Sequence, residues 1–168
     1  MEQEKILSAK GSNVITQADI AVYMYDEDTS AFTPLGYLQT IYNSPNVEFF
    51  NCPIITDKIN IKTKWKITGM HTDSMEIMVD NHENWGGLGY EVVNIPHRQV
   101  VVMREVLLWS KWQFVEDDKG QQRRLQISSV AGRGYRIHGS RAQGRYLLLG
   151  KAYMPGIREL YFAIEQEH

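Results

Sequence analysis

Hydrophobic and polar residues alternate in short runs along much of the chain, a pattern that favours β-strands over helices. The longest run covers residues 58–68, where apolar residues hold one parity and lysines or an asparagine hold the other. The apolar positions are Ile59, Ile61, Trp65 and Ile67. At about 3.3 Å per residue the run predicts one strand on the order of 35 Å long, with one face in the core. Gly69 ends it, and residues 74–79 are expected to return as its hairpin partner.

Two further strands are predicted before this run. Residues 14–25 are rich in β-branched and aromatic side chains, which suit a largely buried strand. The acidic stretch at residues 26–30 then forms a turn, and residues 35–42 form the second strand. Asn, Ser and Pro within residues 43–46 end that strand, because these residue types favour turns.

The segment after residue 79 is less regular. Residues 80–90 hold three glycines and Trp85 without periodicity, which is typical of a flexible loop that serves contacts. Residues 100–109 fit either a buried strand or an amphipathic helix. Their β-branched valines favour the strand.

The last part of the chain again predicts short strands. Residues 111–115 and 125–127 fit a hairpin around an Asp-Asp-Lys-Gly turn. Residues 145–153 and 157–165 fit a closing hairpin across a Met-Pro-Gly turn. These lengths and spacings predict a mainly β fold.

The expected architecture is a single antiparallel β-barrel or β-sandwich with at most one short helix. Eight to ten strands with turns every 8 to 14 residues support it, and no helical pattern of crossover length separates the strands. Residues 1–13 are polar and are expected to form an N-terminal arm. Residues 14–168 form the single β domain.

Composition narrows the class of protein. A chain of 168 residues with one cysteine, Cys52, is long enough to bury a core without disulfides. Its first residues are acidic where a signal peptide is basic, and no apolar run is long enough to cross a membrane as a helix. We therefore expect a protein of the cytoplasm with no membrane partner.

Charge is divided along the chain, although the formal net charge is only −2. Residues 1–97 carry 6 Lys and Arg against 13 Asp and Glu, a balance of −7, whereas residues 98–151 carry 11 against 4, a balance of +7. Opposite charges on one molecule attract between copies, head to tail. This division predicts self-association.

One cluster contains the residue types that bind metals. It comprises His71, Asp73, Asp80, His82 and Glu83. Nothing in its spacing makes three or four ligands converge on one ion, so we interpret it as two polar turns and predict no metal site.

Catalytic and cofactor motifs are not apparent. Cys52 has no basic neighbour that would lower its pKa and activate it as a nucleophile. The glycines of residues 132–139 do not have the spacing or the strand-to-helix context of a dinucleotide fingerprint. We expect neither an enzyme nor a bound cofactor.

The arginine-rich stretch from Lys119 to Lys151 is the strongest candidate for partner contact, together with Trp85. Its candidate contact residues are Arg123, Arg124, Arg133, Arg136, Arg141 and Arg145. With Tyr135 and Tyr146, the same arginines could instead hold phosphates while a ring stacks on a base. Nucleic-acid binding is therefore the alternative, and a small-ligand or carbohydrate-binding sandwich that uses Trp85 is a further alternative.

Several of these features together resemble the small β-barrel proteins of tailed-bacteriophage virions, above all tail tube proteins. The features are the polar lead-in, the strand opening at residues 32–38, the amphipathic run at residues 58–68 and the strands of residues 145–165. The resemblance implies a non-enzymatic subunit that contacts copies of itself and other virion proteins. It also implies assembly in the host cytoplasm, as a tail tube-like, connector or decoration protein.

Overall fold

The described part of the chain is folded almost entirely into antiparallel strands. The computed structural model describes residues 14–40, 50–51, 53–70, 72–80, 86–90, 98–103, 111–115, 126–129, 136–140, 147–150 and 157–166. Within these ranges the only helical segment is the single 3-10 turn Lys58–Asn60. The mainly β fold class is confirmed, whereas the predicted arm, residues 1–13, lies outside the described residues.

Thirteen strands belong to one sheet. They are β1 (Val14–Asp26), β2 (Ala31–Thr40), β3 (Phe50–Asn51), β4 (Pro53–Thr56), β5 (Trp65–Thr68), β6 (Glu76–Val79), β7 (Gly87–Tyr90), β8 (Arg98–Met103), β9 (Trp112–Val115), β10 (Gln126–Ser129), β11 (Arg136–Ser140), β12 (Leu147–Gly150) and β13 (Ile157–Gln166). The predicted hairpins β5–β6 and β9–β10 are confirmed.

The strand pairings form a closed circuit. From β1 the ladders run through β5, β6, β7, β8, β12, β11 and β13 and return to β1. Every ladder in the circuit is antiparallel, and a closed antiparallel circuit needs an even number of strands, as here. This pairing pattern is consistent with a β-barrel or a β-sandwich, the two architectures expected from the sequence.

β13 joins the two ends of this circuit. Its C-terminal part pairs with β1 from Ala18↔Gln166 to Met24↔Leu160, and its N-terminal part pairs with β11 from His138↔Glu159 to Ser140↔Ile157. The predicted strands at residues 145–153 and 157–165 are therefore present. The closing hairpin between them is wrong, because β12 and β13 each pair with β11 and, within the described residues, not with each other.

A cluster of buried side chains, most of them from the strands of the circuit, fills the core. Trp65 and Trp112 are both fully buried, and each satisfies its only side-chain donor within the protein. The Trp65 indole Nε1–H donates to the Leu38 carbonyl oxygen at 3.0 Å, and that of Trp112 donates to the Leu88 carbonyl oxygen at 2.9 Å. Two large side chains are thus anchored to neighbouring backbone as well as packed.

The central strand β1 is covered on both faces. Ile20 and Val22 belong to the core cluster, and on the opposite face Asp19 is only 2% exposed. The Asp19 carboxylate accepts a hydrogen bond from the Lys64 ammonium at 2.8 Å, which compensates the burial of its charge. This explains why residues 20–25 of β1 are continuously apolar instead of alternating.

The single long strand expected over residues 58–68 is wrong. The chain makes a 3-10 turn first, closed by the Asn60 N–H donating to the Asp57 carbonyl oxygen, and only Trp65–Thr68 pairs as a strand. The alternation holds from Thr63 onwards, where buried and half-buried residues alternate. The ladder is short because its partner β6 has only four residues to pair with β5. Ile59, expected in the core, is 89% exposed.

Two other predictions concern the middle of the chain. The flexible loop expected over residues 80–90 is wrong at its end, because Gly87–Tyr90 forms β7 and pairs with β8. The strand preferred over a helix for residues 100–109 is confirmed as far as Met103. Residues 104–109 lie outside the described residues.

Candidate interaction surface

Most of the candidate contact residues from the sequence lie outside the described residues. These are Trp85, Arg123, Arg124, Arg133, Arg141 and Arg145. Arg136 is described. It lies at the start of β11, where one guanidinium nitrogen is 3.8 Å from a Glu159 carboxylate oxygen. Its charge is thus partly engaged by an acid of the same chain.

Next to this ion pair lies a buried histidine. His138 is 2% exposed, and its Nδ1 lies 2.7 Å from the Arg136 carbonyl oxygen, which places the proton on Nδ1. Its Nε2 is 3.9 Å from the same Glu159 carboxylate oxygen. The arrangement stabilises the junction of β11 and β13 and leaves the histidine little access to a substrate.

The β1–β2 hairpin extends beyond the end of the β1–β13 ladder. β13 accompanies β1 only as far as Met24 and then diverges to β11. Beyond Met24, among the described strands, β1 pairs only with β2. Residues 25–32, called here the hairpin tip, therefore project from the circuit.

Three aromatic rings fix the base of the hairpin tip. Tyr25 and Phe32 face each other across the hairpin with ring centroids 5.2 Å apart, and the buried Tyr161 of β13 is 5.0 Å from Phe32 and 6.5 Å from Tyr25. Edge-to-face pairs of this kind contribute about 0.5–1.5 kcal/mol beyond burial. The tip is consequently a stiff projection.

The turn at the end of the tip concentrates negative charge. The Asp26 carboxylate accepts a hydrogen bond from the Asp28 N–H at 2.9 Å, and Ser30 adopts a left-handed conformation with φ 52°. Glu27 and Asp28 are exposed. A folded, rigid turn thus presents carboxylates to solvent.

The β2 edge beside the tip is protected against strand addition. β4 pairs with β2 only from Tyr37 onwards, so no described strand covers Thr33–Leu35 on that edge. Pro34 lacks an N–H there, and a bulge at Leu35 shifts the register between the β1–β2 pairs Val22↔Gly36 and Tyr23↔Pro34. Both devices oppose edge-to-edge pairing, so contact at this place relies on side chains.

A second external feature follows β4 and is called here the basic knob, residues 58–62. Ile59 is 89% exposed at its centre, with Lys58 before it and the exposed Lys62 after it. The Lys62 N–H donates to the Gln39 side-chain oxygen at 2.6 Å, which ties the knob to β2. The apolar side chain is therefore held outward by a structured turn.

Lys58 is also positioned by its surroundings. Its ammonium lies 5.4 Å from the centre of the Tyr37 ring and 3.9 Å from a Glu165 carboxylate oxygen. The Tyr37 hydroxyl donates to the same Glu165 oxygen at 2.8 Å. Burial, the hydrogen bond to Glu165 and nearby negative charge raise the pKa of the Tyr37 phenol. The donor therefore stays protonated at every physiological pH.

Sequence patterning missed the basic knob because it assigned Ile59 to the core. The available signal was local: Asp57 and Asn60, which favour turns, lie on either side of Ile59. An acidic turn and a basic, apolar-centred turn thus both belong to the half of the chain that is acidic overall.

The described residues contain no group of three His, Cys, Asp or Glu side chains able to hold a metal ion. Of the metal-type cluster from the sequence, Asp73 and Asp80 are described, and Asp80 accepts hydrogen bonds from the Gln17 backbone and side chain at 2.7 and 2.8 Å. The described part of the chain includes no helix with the length and apolarity needed to cross a membrane.

No protein-family model matches the chain, and no curated protein matches it.

Proposed function

We propose that the chain is a non-enzymatic structural subunit that associates with copies of itself. The observation that carries this proposal is the stiff acidic hairpin tip, which leaves the strand circuit after Met24 and is fastened by the rings of Tyr25, Phe32 and Tyr161. A rigid projection can bind a neighbour without the cost of ordering a flexible loop on association.

Charge supports the same proposal. Because the tip bears exposed carboxylates and the basic knob bears exposed lysines, two copies can attract each other through different surfaces. Contacts between unlike surfaces build rings, stacks or filaments. The resemblance to tail tube proteins is the reason to place such an assembly in a phage virion, as a tail tube-like, connector or decoration protein.

The experiment is sedimentation velocity of the whole chain over a range of protein concentrations, at low and at high salt. Association that grows with concentration and weakens in salt is expected, because salt screens exposed charges. A single monomeric species at low salt and the highest concentration would overturn the proposal.

A matched pair of variants locates the contact. Asp28→Lys reverses a charge in the hairpin tip, and Asp73→Lys reverses one in the exposed turn between β5 and β6. We expect Asp28→Lys to weaken association and Asp73→Lys to leave it unchanged. Equal effects would show that only net charge matters and that the hairpin tip is not the contact.

A further inference from the structure

We infer that the basic knob of one copy binds the β1–β2 hairpin of another copy, with Ile59 as the apolar anchor. This inference rests on the proposed self-association and names the two surfaces that meet. The partner is thus a second copy of this chain.

The side chain of Ile59 is exposed to solvent. Isolated exposed apolar residues are common, but an isoleucine 89% exposed on a turn held by Lys58 and Lys62 is preorganised for contact. Its side chain makes almost no use of its apolar surface within one molecule. Burial against a partner is where that surface would contribute to binding.

The β1–β2 hairpin carries surfaces that complement those of the basic knob. Its exposed β2 edge offers Pro34 and the 37% exposed Leu35 as apolar surface, and its turn offers the exposed Asp28 as negative charge. The knob offers the reverse arrangement, one apolar side chain between lysines. The hairpin therefore matches the knob in both polarity and charge.

The basic knob follows β4, the strand that pairs with β2. Gly36 has φ +135°, and a Cβ there would lie 2.6 Å from the Thr56 carbonyl oxygen, so β2 and the end of β4 are in close backbone contact. Lys58 follows Thr56 by two residues. The knob consequently lies beside β2, at the Gly36 end of the hairpin.

The first test compares two apolar truncations by sedimentation velocity. Ile59→Ser is expected to weaken association about 10- to 100-fold, the effect of losing one buried aliphatic side chain from a contact. Val14→Ser is the control, because Val14 is also exposed, at 47%, but lies at the opposite end of β1 from the hairpin tip. Thermal melting monitors the fold of both variants.

The second test is charge-swap complementation. Lys62→Glu and Asp28→Lys are each expected to associate weakly alone, whereas a mixture of the two is expected to form mixed pairs with restored affinity. No restoration in the mixture would overturn the hairpin as the partner of the knob.

The outcomes separate the two proposals. Wild-type association that Ile59→Ser leaves unchanged overturns the knob and leaves self-association standing. A wild-type chain that stays monomeric overturns both.

Discussion

Met75 and Trp112 exchange both of their backbone hydrogen bonds. The Met75 N–H donates to the Trp112 carbonyl oxygen at 3.0 Å, and the Trp112 N–H donates to the Met75 carbonyl oxygen at 2.9 Å. Both residues are fully buried. This bridge ties β9, which pairs with β10 outside the circuit, to the start of β6.

Trp112→Phe is expected to reduce the free energy of unfolding by about 2–4 kcal/mol, because it leaves a cavity and leaves the Leu88 carbonyl oxygen without its donor. Trp65→Phe is the matched variant, with the same indole contact to the Leu38 carbonyl oxygen, and a similar loss is expected. Urea unfolding followed by circular dichroism measures both. A loss below about 1 kcal/mol in either variant would contradict the anchoring role of the indoles.

Lys64→Met is expected to destabilise the fold by about 3 kcal/mol, the low end for a broken buried pair because the Lys64 side chain is 30% exposed. The cause is Asp19, whose buried carboxylate loses the Lys64 ammonium that donates to it. Adding Asp19→Leu to Lys64→Met should recover much of the loss, since no buried charge then remains.

The control is Lys66→Met, two residues further along in β5. It changes the same residue type and is expected to have an effect within about 0.5 kcal/mol. If Lys64→Met and Lys66→Met were equally stable, the Asp19–Lys64 pair would have no structural weight.

Tyr37 predicts a loss of stability at alkaline pH. Since its pKa is raised in the folded protein, the folded state holds the phenol proton more tightly than the unfolded state does. The stabilisation is complete below the unfolded pKa of about 10 and is lost as the pH rises from there through the folded pKa. Tyr37→Phe has no such proton, so its unfolding free energy should decline less steeply above about pH 10 than that of the wild type. Parallel pH profiles in urea unfolding would contradict the prediction.

Ser30→Gly is expected to stabilise the protein by about 0.5–1 kcal/mol, because Ser30 has φ 52° and glycine adopts that conformation without a Cβ penalty. Thr29→Gly, at the adjacent exposed position, should destabilise the turn or leave it unchanged. Thermal unfolding distinguishes the two variants. A less stable Ser30→Gly variant would show that the Ser30 conformation does not limit the hairpin.

The sequence was sufficient to predict most strands because their signals are local. Alternation identifies Trp65 and Ile67 as buried, and the acidic turn at residues 26–30 separates β1 from β2 as expected. The prediction that Ile59 lies in the core was wrong because alternating apolar and polar residues also occur in irregular segments. Only the absence of partner strands for residues 58–64 decides the matter, and pairing is a property of the tertiary structure.

The long-range strand pairings could not be predicted from local sequence patterns, because pairing depends on the tertiary structure. Residues 145–153 and 157–165 look like a hairpin because they are adjacent in sequence, yet both flank β11. The arginine-rich candidate site stays a prediction, because most of its residues lie outside the described residues, and the two proposed surfaces are defined by position instead. The hairpin tip projects because β13 leaves β1 at Met24, and no residue type near Met24 signals that divergence.

Sedimentation velocity of the wild-type chain beside Ile59→Ser and Val14→Ser, at low salt, decides whether the chain self-associates through Ile59. We expect concentration-dependent oligomers for the wild type and Val14→Ser and a shift towards monomer for Ile59→Ser. A wild-type chain that sediments as a monomer at every concentration would contradict self-association as its function.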